Sequence, residues 1–447
     1  MSPLTGRRFS RTMIAEVNFY SEKEYCMNHF FQSLCVLLLF SVTVVAQETN
    51  WSQFRGPQST NHSFSTGLAS SWGAEGPKEL WRVNTLGTGF SNLSFYGDMM
   101  FTLGDFGDQC FVMAMNKDTG KEIWKKPLGK SGTGTGAGGG QAANNSTGPL
   151  GTPACDGEKV YAFSQYSDFV AYDMKDGKEL WRKNTVKELG GNIMAGWAYS
   201  MSPILDGDKI LLPIGGNDGI LAAFDKSGKL LWRTTEVTGP AAYTSVVPAE
   251  IGGVRQYLLL TGDALAGISP NDGKVLWKTE FPGKTAVCSD PVLCDDVVMA
   301  SCSYNVGSGY YRISKQGNAF KAEQIHFDEA LFSHHGGIVA VGKHFYLLDN
   351  RRLACVEAKT GKIVWENRSV GKGSLTFADG KLILRSEGAD GTMAMAEATP
   401  EGYKELGRFD QPDRSNKNSW TYPVVVDKKL YIRDQGVLFC YDLSGGK

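Results

Sequence analysis

The stretch Met174-Lys175-Asp176-Gly177-Lys178-Glu179-Leu180-Trp181 is a polar turn that runs directly into a strand ending in tryptophan. The same phrase returns at Lys117 to Trp124, Asp225 to Trp232, Asn271 to Trp277 and Lys359 to Trp365. Its physics is that of a hairpin. Asp, Asn, Thr or Ser opens the turn by bonding its own backbone, Gly supplies the positive φ that closes it, and Lys starts the outgoing strand in solvent. Burying the terminal indole removes roughly 150–250 Å² from water, about 4–6 kcal/mol before entropy is set against it.

Worn copies keep the register. Pro77 to Trp81 retains only the strand, Lys315 to Phe320 carries Phe for Trp, and Pro400 to Phe409 does the same. The expected blade anchors are therefore Trp81, Trp124, Trp181, Trp232, Trp277, Phe320, Trp365 and Phe409, spaced by 43, 57, 51, 45, 43, 45 and 44 residues. An all-β period in the forties predicts propeller blades. Between anchors a strand opens at a proline, as at Pro153, Pro203 and Pro423, where a missing N–H is tolerated. The expectation is an eight-bladed β-propeller of four-stranded antiparallel blades over residues 77–443. The last unit has three strands and the first Trp strand has no preceding three, so joining them closes the ring and removes both free sheet edges.

Residues 1–46 read as a leader. The apolar run Phe30 to Ala46 ends in small residues and predicts a secretory signal cleaved after Ala46, with a membrane anchor as the alternative and Met27 as an alternative start. Residues 47–76 are expected to pack outside the ring as a short extension, and 444–447 to form a tail. Of nine cysteines, seven follow the leader, with no Cys-x-x-Cys and no adjacent pair. They read as buried free thiols, while a Cys288–Cys302 bridge across one hairpin stays open. A net charge of −1 gives no field to recruit nucleic acid or an anionic membrane.

Propeller topology puts the short hairpin turns on one face and the longer connections on the other. Long segments are expected at 125–149, 182–199, 321–333 and 411–419, which makes the second face the ligand face. Its candidate residues are Trp197, Tyr199, Asp263, Asn305, His334, His335, Arg351, Arg385, Arg433 and Asp434. Trp197 is either a loop plug or a platform for a flat ligand. His334 and His335 are either hydrogen-bonded loop residues or ligands; as strand neighbours they would point to opposite sides, which argues against a shared metal. Arg433-Asp434 reads equally as a local ion pair. The Gly132 to Gly140 run contains a G-x-G-x-x-G match at 134, 136 and 139, but the βαβ setting of a nucleotide fingerprint is missing, so a mobile loop over the ligand face is expected. There is no Gly-x-Ser-x-Gly, His-Glu-x-x-His or Walker phrase.

The repeated Asp-x-x-Thr-Gly-Lys-x-x-Trp phrase resembles the repeat of the pyrroloquinoline quinone (PQQ) enzymes over about residues 77–443. Within that quinoprotein-dehydrogenase-like superfamily the chain is similar to the secreted PQQ-binding-like β-propeller repeat proteins, BamB-like or polyvinyl-alcohol-dehydrogenase-like. Trp51-Ser52-Gln53-Phe54-Arg55-Gly56-Pro57, His334-His335-Gly336-Gly337 and Gln411-Pro412-Asp413-Arg414 resemble motifs of that group. The resemblance implies two rival activities. One is an exported, non-catalytic binding or scaffold propeller of the cell envelope, without cofactor, monomeric, and engaging envelope proteins or an extracellular polymer in the periplasm or outside the cell. The other is a PQQ-dependent alcohol or polyvinyl-alcohol dehydrogenase holding PQQ with Ca²⁺. The chain lacks the vicinal cysteine pair and the haem segment many such enzymes carry. A fold so specific says little about which activity it hosts.

Overall fold

A computed structural model describes residues 50–132, 148–194 and 196–445; the leader and the glycine-rich run beyond Gly132 lie outside them. Eight four-stranded antiparallel sheets follow one another around a ring: blades 1 to 7 span 94–130, 154–184, 204–233, 247–280, 292–328, 338–367 and 373–409. Blade 8 is composite. Val424–Val426, Lys429–Asp434 and Val437–Asp442 supply three strands and Glu79–Asn84 the fourth, with Trp81 opposite Cys440 and Val83 opposite Leu438. The one described helix is Thr185–Leu189, capped by Asn184, and no described helix is long and apolar enough to cross a membrane.

Every outer strand carries the same irregularity. Its register against the third strand slips by one residue just before the aromatic position, between Glu122 and Trp124, Glu179 and Trp181, Val275 and Trp277, and equivalently elsewhere. The skipped residue is a bulge. This explains why Leu80, Ile123, Leu180, Leu231 and Val364 are exposed: each is the unpaired bulge residue turned outward, while the extra twist swings the following indole toward the next blade. There the ring meets the turn glycine. A β-carbon on Gly120, Gly177, Gly228 or Gly273 would stand 2.5–2.9 Å from Trp81, Trp124, Trp181 or Trp232. Indole N–H groups add cross-blade bonds, Trp124 to Met174 O at 2.9 Å and Trp365 to Thr399 O at 2.9 Å.

A matched pair of substitutions tests this joint. Gly177 and Gly317 have φ of 70° and 62°, but only Gly177 lies under an indole. Gly317→Ala should cost about 1–2 kcal/mol for the left-handed backbone alone. Gly177→Ala should cost a further ~1–3 kcal/mol for overpacking. Equal losses in urea midpoint for the two would show that the indole contact contributes nothing.

Two blades depart from the expected grammar. In blade 5 the strands Gly307–Gln316 and Ala319–Asp328 form a long hairpin, so the irregular segment expected at 321–333 is mostly strand. The residue in the anchor register is His326, opposite Tyr310, and not Phe320; a β-carbon on Gly361 would meet His326 at 2.7 Å. The longer hairpin carries the Gly-turn phrase away from the joint, so Phe320 is displaced from it. In blade 7 the anchor register falls on Gly407, and the gap is filled from the N-terminal extension by Trp72, against Phe409 at 5.6 Å. Likewise 125–130 continues a strand, Glu122–Lys130, rather than opening a loop.

The first part of the N-terminal extension does not pack outside the ring as expected, while its later part, at Trp72, does lie against the outer strand of blade 7. Residues 51–63 run through the centre, and their backbone bonds to the inner strands. Phe95 N donates to Trp51 O, Cys155 N to Ser52 O and Phe377 N to Asn61 O, each at 2.8–3.0 Å; His62–Ser63 pairs in parallel with the first strand of blade 7. Gln53 Oε1 accepts from Leu205 N at 2.7 Å, and Ser63 Oγ donates to Val425 O at 2.7 Å. The reason is an accounting one. The inner strands present N–H and C=O groups to the channel, and buried backbone groups require partners. Later, Leu68 bridges Ser444, so the expected tail begins in contact with this segment.

Candidate functional site

The loops that enter the first strand of each blade converge on the axis. The residue three before the strand-opening proline faces inward in four of them: Leu150 before Pro153, Ser200 before Pro203, Cys288 before Pro291 and Trp420 before Pro423. Phe90 and Asn92, Tyr243 and Ser245, His334 and His335, and Lys372 come from the remaining loops, and Trp197 shares the loop of Ser200. Together with Phe54 of the central segment they enclose a cavity of about 350 Å³. Every blade thus contributes, although the contributing residues span positions 54 to 422.

A belt of hydrogen bonds holds the loops at a common level. Thr152 N donates to Ser202 Oγ at 2.9 Å, Ser202 N to Ser245 Oγ at 2.9 Å, and Ser245 N to Asp290 Oδ1 at 2.8 Å. Asp290 faces Arg55 at 3.6 Å, and the Arg55 guanidinium donates to Ile338 O at 2.7 Å. Arg55 and Asp290 are 1% and 4% exposed, so the charge pair is buried under the cavity. On the far side Tyr422 O–H donates to His335 O at 2.6 Å, and Phe54 stacks on Tyr422 at 5.4 Å. The central segment therefore supplies both a link in the belt and part of the cavity wall.

The wall is dominated by rings. Phe90 meets Trp420 at 4.5 Å, Trp420 meets His335 at 4.7 Å, His335 stacks on His334 at 3.6 Å, and Tyr304 stands edge-on to His334 at 5.1 Å. Trp197 and Tyr243 form a second cluster at 6.0 Å. Tyr243 enters blade 4 and Trp420 enters blade 8, so in an eight-membered ring these two lie across the axis from each other. The stacking of His334 on His335 corrects the expectation that they point to opposite sides: both precede the strand Ile338–Val341, in a bend where strand alternation does not apply.

Burial dominates the electrostatics. It holds His334 neutral, with its pKa lowered to about 2, helped by His335 and Lys372. His335 is lowered in the same way, against the opposing pull of Glu387, whose Oε1 lies 3.3 Å from Nδ1. Burial works to raise the Glu387 carboxyl, but His335 and Lys372, with Lys372 Nζ at 2.7 Å, outweigh it and hold it below the usual range. Burial likewise lifts the Cys288 thiol to about 12, which leaves it a poor nucleophile at neutral pH. Cys288 precedes its blade's first strand and is not paired with Cys302; the seven described cysteines are free thiols.

These shifts set a pH dependence. Burial, with Arg55 second, also lowers His62 to about 4, whereas burial raises Asp290 to about 6 against Arg55. A histidine with a depressed folded pKa contributes stability present above its unfolded value of 6.5 and lost on acidification. Asp290 acts oppositely, its contribution falling as pH rises from 3.8 to about 6. Two strongly shifted histidines oppose one carboxyl, so the melting temperature should fall from pH 6.5 to pH 4.5, and His62→Phe should flatten that fall. A wild-type melting temperature that rises on acidification would contradict this balance.

Of the sequence candidates, Trp197, His334 and His335 line the cavity. Tyr199 is buried beside it, its hydroxyl donating to Ile214 O at 3.0 Å. Arg385, Arg433 and Asp434 lie in buried networks instead. Arg385 donates to Arg433 O at 2.7 Å and Gln411 Oε1 at 2.7 Å; Arg433 donates to Leu103 O, Thr102 Oγ1 and Ser91 O at 2.6, 2.7 and 3.0 Å; Asp434 accepts from Arg414 at 2.5 Å. Asp263 and Asn305 are exposed loop residues, Asp263 accepting from Thr261 Oγ1 at 2.8 Å. Arg351 borders a separate concavity with Arg368 and Glu366. Phe54, Phe90, Asn92, Tyr243, Lys372 and Trp420 were not legible as site residues. The position three before a strand proline would have pointed to Trp420; nothing local marks the others.

A calcium-bound PQQ, a flat tricarboxylate, needs carboxylate and amide ligands for the ion and unmatched cations for the quinone. Among the described residues the cavity wall has no Asp or Glu, its one fixed cation is matched by Glu387, and no group of three or more His, Cys, Asp or Glu is placed to hold a metal. The residues present do not fit that group.

The fold is shared with solved propellers. BamB from Moraxella catarrhalis aligns with a TM-score of 0.56 at 13% identity, over 83% of this chain and 98% of that one. A quinohemoprotein alcohol dehydrogenase from Pseudomonas putida aligns at 0.61 with 14% identity, over 90% and 81%. In sequence, the outer membrane protein assembly factor BamB of Yersinia pestis is 23% identical over 383 residues, 80% of this chain and 86% of the relative. The family described as outer membrane protein assembly factor BamB matches residues 111–319 and 311–447. With that match running from the third strand of blade 1 to the last residue, the chain belongs to the BamB family of PQQ-like β-propellers.

Proposed function

We propose that the protein is an exported, non-catalytic binding propeller of the cell envelope that engages protein or polymer ligands on its long-loop face. The observation that carries this reading is the axial cavity, to which all eight blades contribute and whose walls are aromatic and free of carboxylates among the described residues. Such a wall offers contact area and hydrogen bonds but, among the described residues, no carboxylate, no ionised thiol and no metal ligand set. Kinship with assembly factors of the outer membrane points to partners in the envelope and to a periplasmic or secreted location. The apolar run before Ala46 supports export.

The test is capture of partners from an envelope extract of the producing cells, with retained molecules identified by mass spectrometry. Ligands held by the wild type should be lost with Trp197→Ala/Tyr304→Ala on the long-loop face and kept with Lys175→Glu/Lys229→Glu on the short-turn face. The reverse pattern would sink the proposal. So would stoichiometric binding of PQQ with calcium accompanied by dye reduction with an alcohol.

A further inference from the structure

We propose that the concavity between Arg351 and Arg368, on the long-loop face at blade 6, receives clustered carboxylates from an acidic segment of a protein partner. This deepens the binding-propeller reading and rests on it, since it assigns a partner chemistry to one part of the same face.

The two arginines are set apart by what they lack. Among the described residues every other arginine side chain makes an ion pair or a hydrogen bond within the chain, whereas those of Arg351 and Arg368 make neither. Both are exposed, and they border one concavity of about 520 Å³ with Asn350, Arg352, Glu366 and Asn367. The carboxylates nearby are already engaged. Asp349 Oδ1 accepts from the backbone N–H of Arg351 at 2.6 Å and of Arg352 at 2.8 Å, and its Oδ2 takes Arg352 Nε at 3.2 Å. Glu366 pairs with the same guanidinium at Nη1. Arg352 thus absorbs the local negative charge, and its two neighbours stand in solvent without a counter-charge.

The backbone fixes where they stand. Asp349 to Arg352 is a tight turn between the second and third strands, closed by Asp349 N donating to Arg352 O at 2.9 Å. Arg368 opens the exit toward blade 7, where Ser369 N donates to Asn367 Oδ1 at 2.8 Å and Gly371 N to Arg368 O at 2.7 Å. Turns held in this way lower the ordering cost of binding, because only side chains have to be arrested.

The chemistry of the wall selects the ligand. A guanidinium is a planar fork of donors that meets a carboxylate bidentately, and the Asn350 and Asn367 amides add donors beside it. An exposed ion pair is screened and contributes little by itself, so a single carboxylate would be held weakly. A segment carrying several acidic side chains engages both arginines at once. Anionic lipid and nucleic acid fit less well. A lipid-binding cluster takes roughly four to eight basic residues and nucleic acid a comparable number of phosphate contacts, and a net charge of −1 adds no wider positive field.

The experiment is titration of a dye-labelled oligoglutamate peptide with the full chain at low salt, read by fluorescence anisotropy, beside oligoglutamine of equal length, oligogalacturonate and phosphatidylserine vesicles. Oligoglutamate should bind, and oligoglutamine at least about tenfold more weakly. Arg351→Gln and Arg368→Gln should each lower the affinity about threefold and together about tenfold. Arg255→Gln removes the same charge from an arginine paired with Asp206 on the short-turn face and should leave it unchanged. Because neither Arg351 nor Arg368 bonds within the chain through its side chain, the urea midpoint of the double variant should stay at the wild-type value. Failure of oligoglutamate to bind, equal binding of oligoglutamine, an affinity indifferent to the double variant, or tighter binding of oligogalacturonate or of the vesicles would each overturn the proposal. If oligoglutamate fails while envelope proteins are still captured, and are lost with Trp197→Ala/Tyr304→Ala, the acidic-segment assignment falls and the binding-propeller reading stands.

Discussion

Replacing Arg433 by alanine is expected to abolish the closed ring as a stable unit, with a loss well above about 4 kcal/mol. Arg433 lies in the composite blade 8 and is 1% exposed. Its guanidinium donates to Ser91 O, Thr102 Oγ1 and Leu103 O of blade 1 and its approach, and its Nε donates to Gln435 O at 2.8 Å. Truncation removes four charge-assisted hydrogen bonds to buried acceptors, of which Ser91 O keeps a partner in the Thr102 hydroxyl, and it leaves a cavity, so losses of about 1–3 kcal/mol for each stranded acceptor add to the packing loss. The location compounds the cost, because this is the joint at which the two ends of the propeller meet. Arg433→Lys should recover only part, since an ammonium cannot reach the diverging acceptors a planar fork serves. Urea unfolding checks this: a midpoint for Arg433→Ala close to wild type would show that closure does not depend on the network.

Arg55→Ala should be the next most damaging change, at about 3–5 kcal/mol, because it strands the Asp290 carboxylate in a site with almost no solvent. Its effect should also be local. The belt from Thr152 through Ser202 and Ser245 ends on Asp290, and Arg55 carries it to Ile338. Losing that link should loosen the central segment, seen as faster amide exchange at Phe95, Cys155 and Phe377, which bond to it. Arg55→Met combined with Asp290→Leu removes both charges and should recover much of the loss. A double variant as unstable as Arg55→Ala would mean that the pair's charge is not what the site requires.

The comparison of Arg55 with Trp181 shows how legibility depends on range. Trp181 is readable because everything that places it is local: a turn that needs Gly177, a bulge at Leu180, and a repeat of the whole phrase that ends 51 residues on, at Trp232. Arg55 has partners 235 and 283 residues away in the chain, and no local pattern connects them. The same holds for Arg385 and Arg433. As polar residues near strand ends they resemble ligand groups, but neighbouring carbonyls consume their hydrogen bonds.

By itself the sequence determined the number of blades, the four-strand grammar and the closure of the last blade by the first Trp strand. Those follow from turn chemistry and strand alternation, which act over a few residues and recur with a period. Tertiary structure alone decided that residues 51–63 fill the channel, that His326 and Trp72 take over joints where the repeat is worn, and which side chains reach the axial cavity. The physical reason is that the axis is the one place where eight aperiodic loops and an unpaired set of inner-strand groups meet. What lies there is set by packing and by hydrogen-bond satisfaction between residues hundreds of positions apart.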